Sequence, residues 1–212
     1  VMKRLLVLIA VASVVAACSS PKTSYYTLSA PPVTATSAMT HQTRIMVGPV
    51  TVPTLVDTPQ LVVKNSNNQV TVYEYQRWAG SLKSDIERVV AADLSRDLST
   101  PNVWSYTQSP FAQFDYQVFI DVQKIDSKLG DSVTIDALWT IKSNAAKNNA
   151  HAAAKHKPVK THAESSTPPA SHTGRAVITE AVSGSGFDAL VAAQSRAFDR
   201  LSTDIAQSIR PQ

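Results

Sequence analysis

The chain has 212 residues, a formal net charge of +4 and a single cysteine, which is enough length for one core of ordinary domain size and rules out an internal disulfide. Lys3 and Arg4 sit in the N-terminal segment, and Lys147, Lys155, Lys157 and Lys160 stand against only Glu164 in one polar stretch. Taking those six cations and one anion from 20 Lys+Arg and 16 Asp+Glu leaves 14 basic and 15 acidic residues, so the body is not basic and nucleic acid is excluded as a partner.

Lys3 and Arg4 form a positive n-region, Leu5 to Val15 an apolar run broken only by Ser13, and Val15-Ala16-Ala17-Cys18 a lipobox. The run is shorter than the roughly 20 residues a spanning helix needs, so residues 1–17 read as a cleaved lipoprotein signal. Met2 offers an alternative start to Val1. Small side chains before the cysteine admit a peptidase, and the Cys18 thiol can take a diacylglyceryl thioether. Residues 18–24 then form a lipidated N-terminus and polar tether, reaching roughly 20 Å if extended. Residues 25–212 read as one α+β domain.

Tyr25 to Leu28 suit a strand, as do Arg44 to Pro53, where Pro49 demands an edge or a bulge and a break near Gly48. Leu61 to Lys64 and Gln69 to Glu74 flank Asn65-Ser66-Asn67-Asn68 as a hairpin. Leu82, Ile86, Val89, Val90, Leu94 and Leu98 make one stripe of a helix. Ser81 and Ser84 both suit its N-cap, Ser84 with Glu87 at capping-box spacing, and Pro101 ends it. Val103 to Thr107 suit a short strand.

Tyr116, Val118, Ile120 and Val122 alternate with Gln117, Phe119 and Asp121. Val133, Ile135, Ala137, Trp139 and Ile141 alternate with Thr134, Asp136, Leu138 and Thr140, and, in a less polarised strand, Ala176, Ile178, Glu180 and Val182 with Arg175, Val177, Thr179 and Ala181. Residues 143–172 between the last two strands hold Val159 as their only branched aliphatic and no aromatic. Such a segment cannot offset an ordering cost of about 1 to 2 kcal/mol per residue, and is expected as a disordered insert at a hairpin tip. Phe187, Leu190, Val191, Phe198, Leu201, Ile205 and Ile209 define a final helix before Pro211. The expected fold is α+β: a mostly antiparallel sheet with two amphipathic helices packed on one face.

No pattern here carries catalysis. His151, His156, His162 and His172 lie in the insert without a zinc-binding spacing, so no metal or cofactor is expected. Ser185 lacks the flanking glycines of a nucleophile elbow. Asp121, Asp126, Asp131 and Asp136 recur every five residues, as turn residues and solvated strand faces do, and Trp78, Trp104 and Trp139 suit core packing. Phe119, Leu138 and Val177 are apolar on strand faces opposite the helix-covered side, which marks a subunit or partner interface unless the register is shifted by one.

The lipobox through Cys18, Tyr25-Tyr26-Thr27-Leu28, Val47-Gly48-Pro49-Val50, Leu55 to Val62, Arg77-Trp78-Ala79, the helix around Leu94, Tyr116 to Val122, Ala137-Leu138-Trp139 and Ala189-Leu190-Val191-Ala192-Ala193 together resemble the ABC-type transport auxiliary lipoprotein family, the PqiC-like proteins of Gram-negative envelopes. The insert departs from the pattern, where a short turn is expected. The resemblance implies a non-enzymatic lipoprotein on the periplasmic face of the outer membrane. It would partner a periplasmic or inner-membrane MCE-domain protein, could form a homo-oligomeric ring, and would support intermembrane lipid transport and envelope integrity. Ser19 after Cys18 agrees with export to the outer membrane. The alternative is a passive structural envelope lipoprotein.

Overall fold

The computed structural model describes residues 21–32, 43–144 and 171–209. The lipobox with Cys18, and the insert from 145 to 170 with His151, His156 and His162, lie outside them. The described residues form eight strands and two helices: β1 (Ser24–Tyr26), β2 (Ile45–Thr51), β3 (Gln60–Lys64), β4 (Val70–Trp78), α1 (Leu82–Asp97), β5 (Val103–Ser105), β6 (Tyr116–Ser127), β7 (Ser132–Ser143), β8 (Ser171–Ala181) and α2 (Gly186–Ile209).

The α+β class is as expected, but the strands divide between two sheets. The larger has the order β5-β2-β6-β7-β8 and the smaller β1-β4-β3. Pairing is antiparallel along β6-β7-β8 and in the β3-β4 hairpin, and parallel where β2 meets β5 and β6 and where β1 meets β4. One core joins them. Val118, Ile120, Val122, Val133, Ile135, Ala137, Ile178, Ile86, Val90, Leu94, Leu190, Leu201 and Ile205 are buried together, the branched side chains each worth roughly 1.5 to 3 kcal/mol relative to exposure. The alternation in β6, β7 and β8 fixes the covered face and leaves the other open. The smaller sheet turns Leu61, Val63 and Trp78 into the same core, with Tyr73 edge-on to Phe187 at 4.7 Å.

β2 lies between β5 and β6, so Pro49 sits in a bulge rather than at an edge. Gly48 has φ 108°, and a Cβ there would stand 2.6 Å from Glu87 Oε1. Only glycine meets both demands. β1 ends at Tyr26, earlier than Tyr25 to Leu28 implied. The Leu28 amide donates to Asp85 Oδ2 at 2.6 Å in the first turn of α1, which draws the chain out of the sheet. At the N-terminus of α1, Ser81 takes the cap position without a side-chain bond, and the capping-box role expected of Ser84 and Glu87 fails because Glu87 is buried. Ser143, Ser171 and His172, assigned to the insert, are strand residues. Ser171, His172 and Thr173 pair with Lys142, Ile141 and Thr140, and His172 stacks on Trp139 with ring centroids 5.6 Å apart. No described helix is long and apolar enough to cross a membrane.

Candidate functional site

The space between the sheets offers little room for a ligand. The hollow bounded by Val56, Leu61, Trp78, Leu82 and Ile125 has a volume of about 10 Å³, whereas small-molecule sites run to several hundred. No group of three or more metal-ligating side chains gathers among the described residues. The four aspartates spaced five apart do not converge. Asp126 pairs with Lys64 at 2.6 Å and Lys124 at 2.7 Å, Asp136 with Arg175 at 2.6 Å, Asp121 accepts from Gln123 at 2.6 Å, and Asp131 lies in the β6-β7 turn, its amide donating to the Lys128 carbonyl at 3.2 Å. Ser185 is exposed in the bend before α2. Trp78 and Trp139 are core residues and Trp104 is half-buried in β5.

Chemistry is left to the surface, and the open face of the larger sheet is its most organised part. Leu138 is 42% exposed and Val177 64% exposed, while Phe119 is half-buried beneath Lys142, whose Nζ lies 4.7 Å from the ring centroid. Phe119 stands level with Thr140, Leu138 level with Asp121 and Arg175, and Val177 level with Asp136. The three side chains therefore run along one diagonal across β6, β7 and β8, with neighbours about 7 to 8 Å apart. Register places them on the open side, as the alternation requires.

Polar pairs hold both flanks of that diagonal. Arg175 forks onto Asp136, with Nε to Oδ1 at 2.8 Å and Nη2 to Oδ2 at 2.6 Å, and this hydrogen-bonded guanidinium holds the Asp136 carboxyl below its usual range. Thr134 and Thr179 share a hydrogen bond of 2.9 Å, and Thr51 donates to Asp121. The result is an apolar line flanked by the Asp136–Arg175 ion pair and by hydrogen-bonded Thr134, Thr179 and Asp121.

Two carboxylates prove to be buried: Glu87, which the sequence offers for a capping box, and Asp93, which it does not single out. Glu87 is 3% exposed and accepts from the Val50 amide at 3.3 Å, Ser105 Oγ at 3.0 Å, and the amide of Thr107 at 3.0 Å together with its hydroxyl. It ties α1 to the β2 bulge and to the end of β5. Asp93 is 1% exposed where α1 meets α2. Arg96 Nη1 donates to its Oδ1 at 3.0 Å, and Oδ2 has no partner. Burial first, and then Asp199 nearby, push its carboxyl up to about 6. Both lie seven residues from a stripe residue, Glu87 from Leu94 and Asp93 from Ile86, and that heptad spacing was the available signal.

These features define a class: an α+β module of two sheets and two helices on one core, with one face of its larger sheet left open. The model of the ABC-type transport auxiliary lipoprotein component family matches residues 26–206, and the chain belongs to that family. Its fold is shared by a crystal structure of an uncharacterized protein, with a TM-score of 0.64 at 17% identity over 90% of this chain and 100% of that one. Protein XCC0632 from Xanthomonas campestris is similar too, with a TM-score of 0.57 at 16% identity over 86% of this chain and 92% of that one. At these identities the likeness is one of fold. No curated protein matches the chain.

Proposed function

We propose that this auxiliary transport component is a non-enzymatic adaptor: acylated at Cys18, held on the periplasmic face of the outer membrane, and joined through the open face of its larger sheet to an MCE-domain protein that carries lipid between the two membranes. The observation that carries the reading is the diagonal of Phe119, Leu138 and Val177. It places apolar side chains beside an ion pair, Asp136–Arg175, that is already made within the sheet, so that a partner covering the diagonal need not supply a counter-ion for either member. The hollow between its sheets holds only about 10 Å³, too little for an acyl chain, and in this reading the lipid path belongs to what the protein docks against. Self-association of this face into a ring is the arrangement in which several copies receive the end of one tube.

Affinity capture from detergent-solubilised envelope, with mass spectrometry of the eluate, tests the proposal. The expected result is recovery of an MCE-domain subunit with the wild-type protein and its loss with Phe119→Asp/Leu138→Asp. Recovery of no transport subunit at all would leave a passive structural lipoprotein. Intact mass of the mature N-terminus should show acyl chains on Cys18, and Cys18→Ala should leave the precursor uncleaved at that site.

A further inference from the structure

The smaller sheet has an outward face of different character. Its inner side is filled, with Tyr26 and Tyr73 against Phe187 and Leu61, Val63 and Trp78 buried. On its outer side Tyr25, Tyr75 and Val72 are 65%, 45% and 53% exposed. Val72 pairs with half-buried Val62 across β3-β4, and Tyr25 pairs with Arg77 across β1-β4. The charges on this face satisfy one another, because Arg77 donates to Glu74 at 2.5 Å and Gln60 donates to Glu74 at 3.0 Å. Two phenol rings and a valine pair can therefore leave bulk water without stranding an ion. Tyrosine is also the side chain that settles with its ring among acyl chains and its hydroxyl at the headgroups.

Chain length says what covers this face. β1 begins six residues after Cys18, and at about 3.3 to 3.6 Å per residue no geometry carries Ser24 more than roughly 20 Å from the acylated residue. Among the strands it is β1, at one edge of this sheet, that is leashed to the bilayer. We infer that the outward face of β1-β4-β3, centred on Tyr25, Val72 and Tyr75, is the side the protein lays on the phospholipid surface holding its anchor. This inference rests on the acylation of Cys18 proposed above. A patch this small binds a bilayer weakly on its own; the tether supplies the effective concentration that makes docking the resting state. The docked orientation turns a one-point anchor into a defined pose, with the larger sheet's open face presented to a partner.

The sole cysteine makes the test direct. The mature chain from Cys18 is coupled through that thiol to maleimide-headgroup lipid in phosphatidylethanolamine/phosphatidylglycerol vesicles containing brominated acyl chains, with Tyr75→Trp as reporter on the smaller sheet and Leu138→Trp as reporter on the larger. Bromine quenches indole only at the acyl boundary, and Trp78 and Trp139 are buried. The expected result is a roughly twofold greater loss of emission from Tyr75→Trp than from the parent, no excess from Leu138→Trp, and loss of the excess when Tyr25→Asp is added. Circular dichroism of each variant reports folding, and Tyr25→Trp serves as a second reporter should Tyr75→Trp not fold. Equal quenching of both reporters, quenching of neither, or protection of Tyr75→Trp from iodide without vesicles, which would mean that a second copy covers the face, overturns the inference. The synthetic tether places the chain on lipid whether or not cells acylate Cys18, so failure of the acylation reading shows separately, as an unmodified Cys18 in the native protein's mass.

Discussion

The two sheets are built from similar strands and share one core, yet their outward faces are dressed for different neighbours. On the larger, Phe119, Leu138 and Val177 run between fixed polar pairs, Asp136–Arg175 and Thr134–Thr179, so that any occupant must match a pattern. On the smaller, Tyr25, Tyr75, Val70 and Val72 are exposed beside the ion pairs Arg77–Glu74 and Lys64–Asp126, and the face asks only for apolar depth and a polar boundary. Charge placement, more than apolar content, separates a surface suited to a protein from one suited to a fluid. β1, the strand that begins six residues after Cys18, belongs to the second sheet and not the first.

The sharpest way to break the comparison is to charge one face at a time. Phe119→Asp/Leu138→Asp should abolish self-association and partner capture, seen by sedimentation velocity and pull-down, while circular dichroism and the lipid quenching of Tyr75→Trp stay unchanged. If this double variant unfolds instead, the diagonal belongs to the core. A fold-level lesion should strike both faces alike. Glu87→Ala leaves the amides of Val50 and Thr107 and the Ser105 hydroxyl without their acceptor, and should lower unfolding free energy by about 3 kcal/mol, measured by urea titration. An effect on one face alone would mean that the β2 bulge serves that face locally.

Arg175→Gln removes the charge from the Asp136 fork but keeps a donor, so partner affinity should fall by about tenfold with stability nearly unchanged. Calorimetric titration with the captured partner measures it; a loss as complete as that of the aspartate pair would make the ion pair the centre of the interface rather than its frame.

The smallest effect separates stability from docking. Because Asp93 is held up to about 6 in the fold, against an ordinary value near 3.9, the native state binds a proton that the unfolded chain releases over that window. Stability should therefore rise by about 2 kcal/mol as pH falls from 7.5 toward 4. Below the ordinary carboxylate range it should fall again, since Asp115, bonded to Arg44, and Asp136, bonded to Arg175, have lowered values and lose those partners on protonation. For Asp126 burial works the other way, but Lys124 and Lys64 outweigh it and add to the same acid loss. Asp93→Asn should raise the melting temperature at pH 7.5 by about 2 to 4 °C, flatten the rise between pH 7.5 and 4, and leave both docking readouts where they were.

Much of this was legible in the sequence, for reasons that differ by region. Strict alternation in β6 and β7 gave strand, facing and covered side together, because a one-residue slip would expose Val118, Ile120, Val133 and Ile135 at once. Both helices followed from their stripes. The division into two sheets did not, since strand pattern carries no information about which strands pair. The parallel pairing of β1 with β4 spans about fifty residues, a separation at which local pattern says nothing of partners. The extra strand turns at Ser171 and His172 were hidden by their polar composition and are held by pairing with β7 and by Trp139. Glu87 was read as a cap because the sequence shows spacing but not the Gly48 bulge that brings acceptor and donors together. The diagonal of Phe119, Leu138 and Val177 was visible as apolar residues in the wrong phase. Val72 and Tyr75 carried the same signal on β4 but were passed over, because without the sheet assignment neither phase of that strand could be called outward.

The two-face comparison can be read in one experiment in living cells. A photo-reactive benzoylphenylalanine is introduced at Val177 on the larger sheet or at Val72 on the smaller, and cross-linked products are identified by mass spectrometry. Cross-links from position 177 to a transport subunit or to a second copy, with no protein cross-link from position 72, are the expected result. A protein adduct at position 72 and none at position 177 would contradict it.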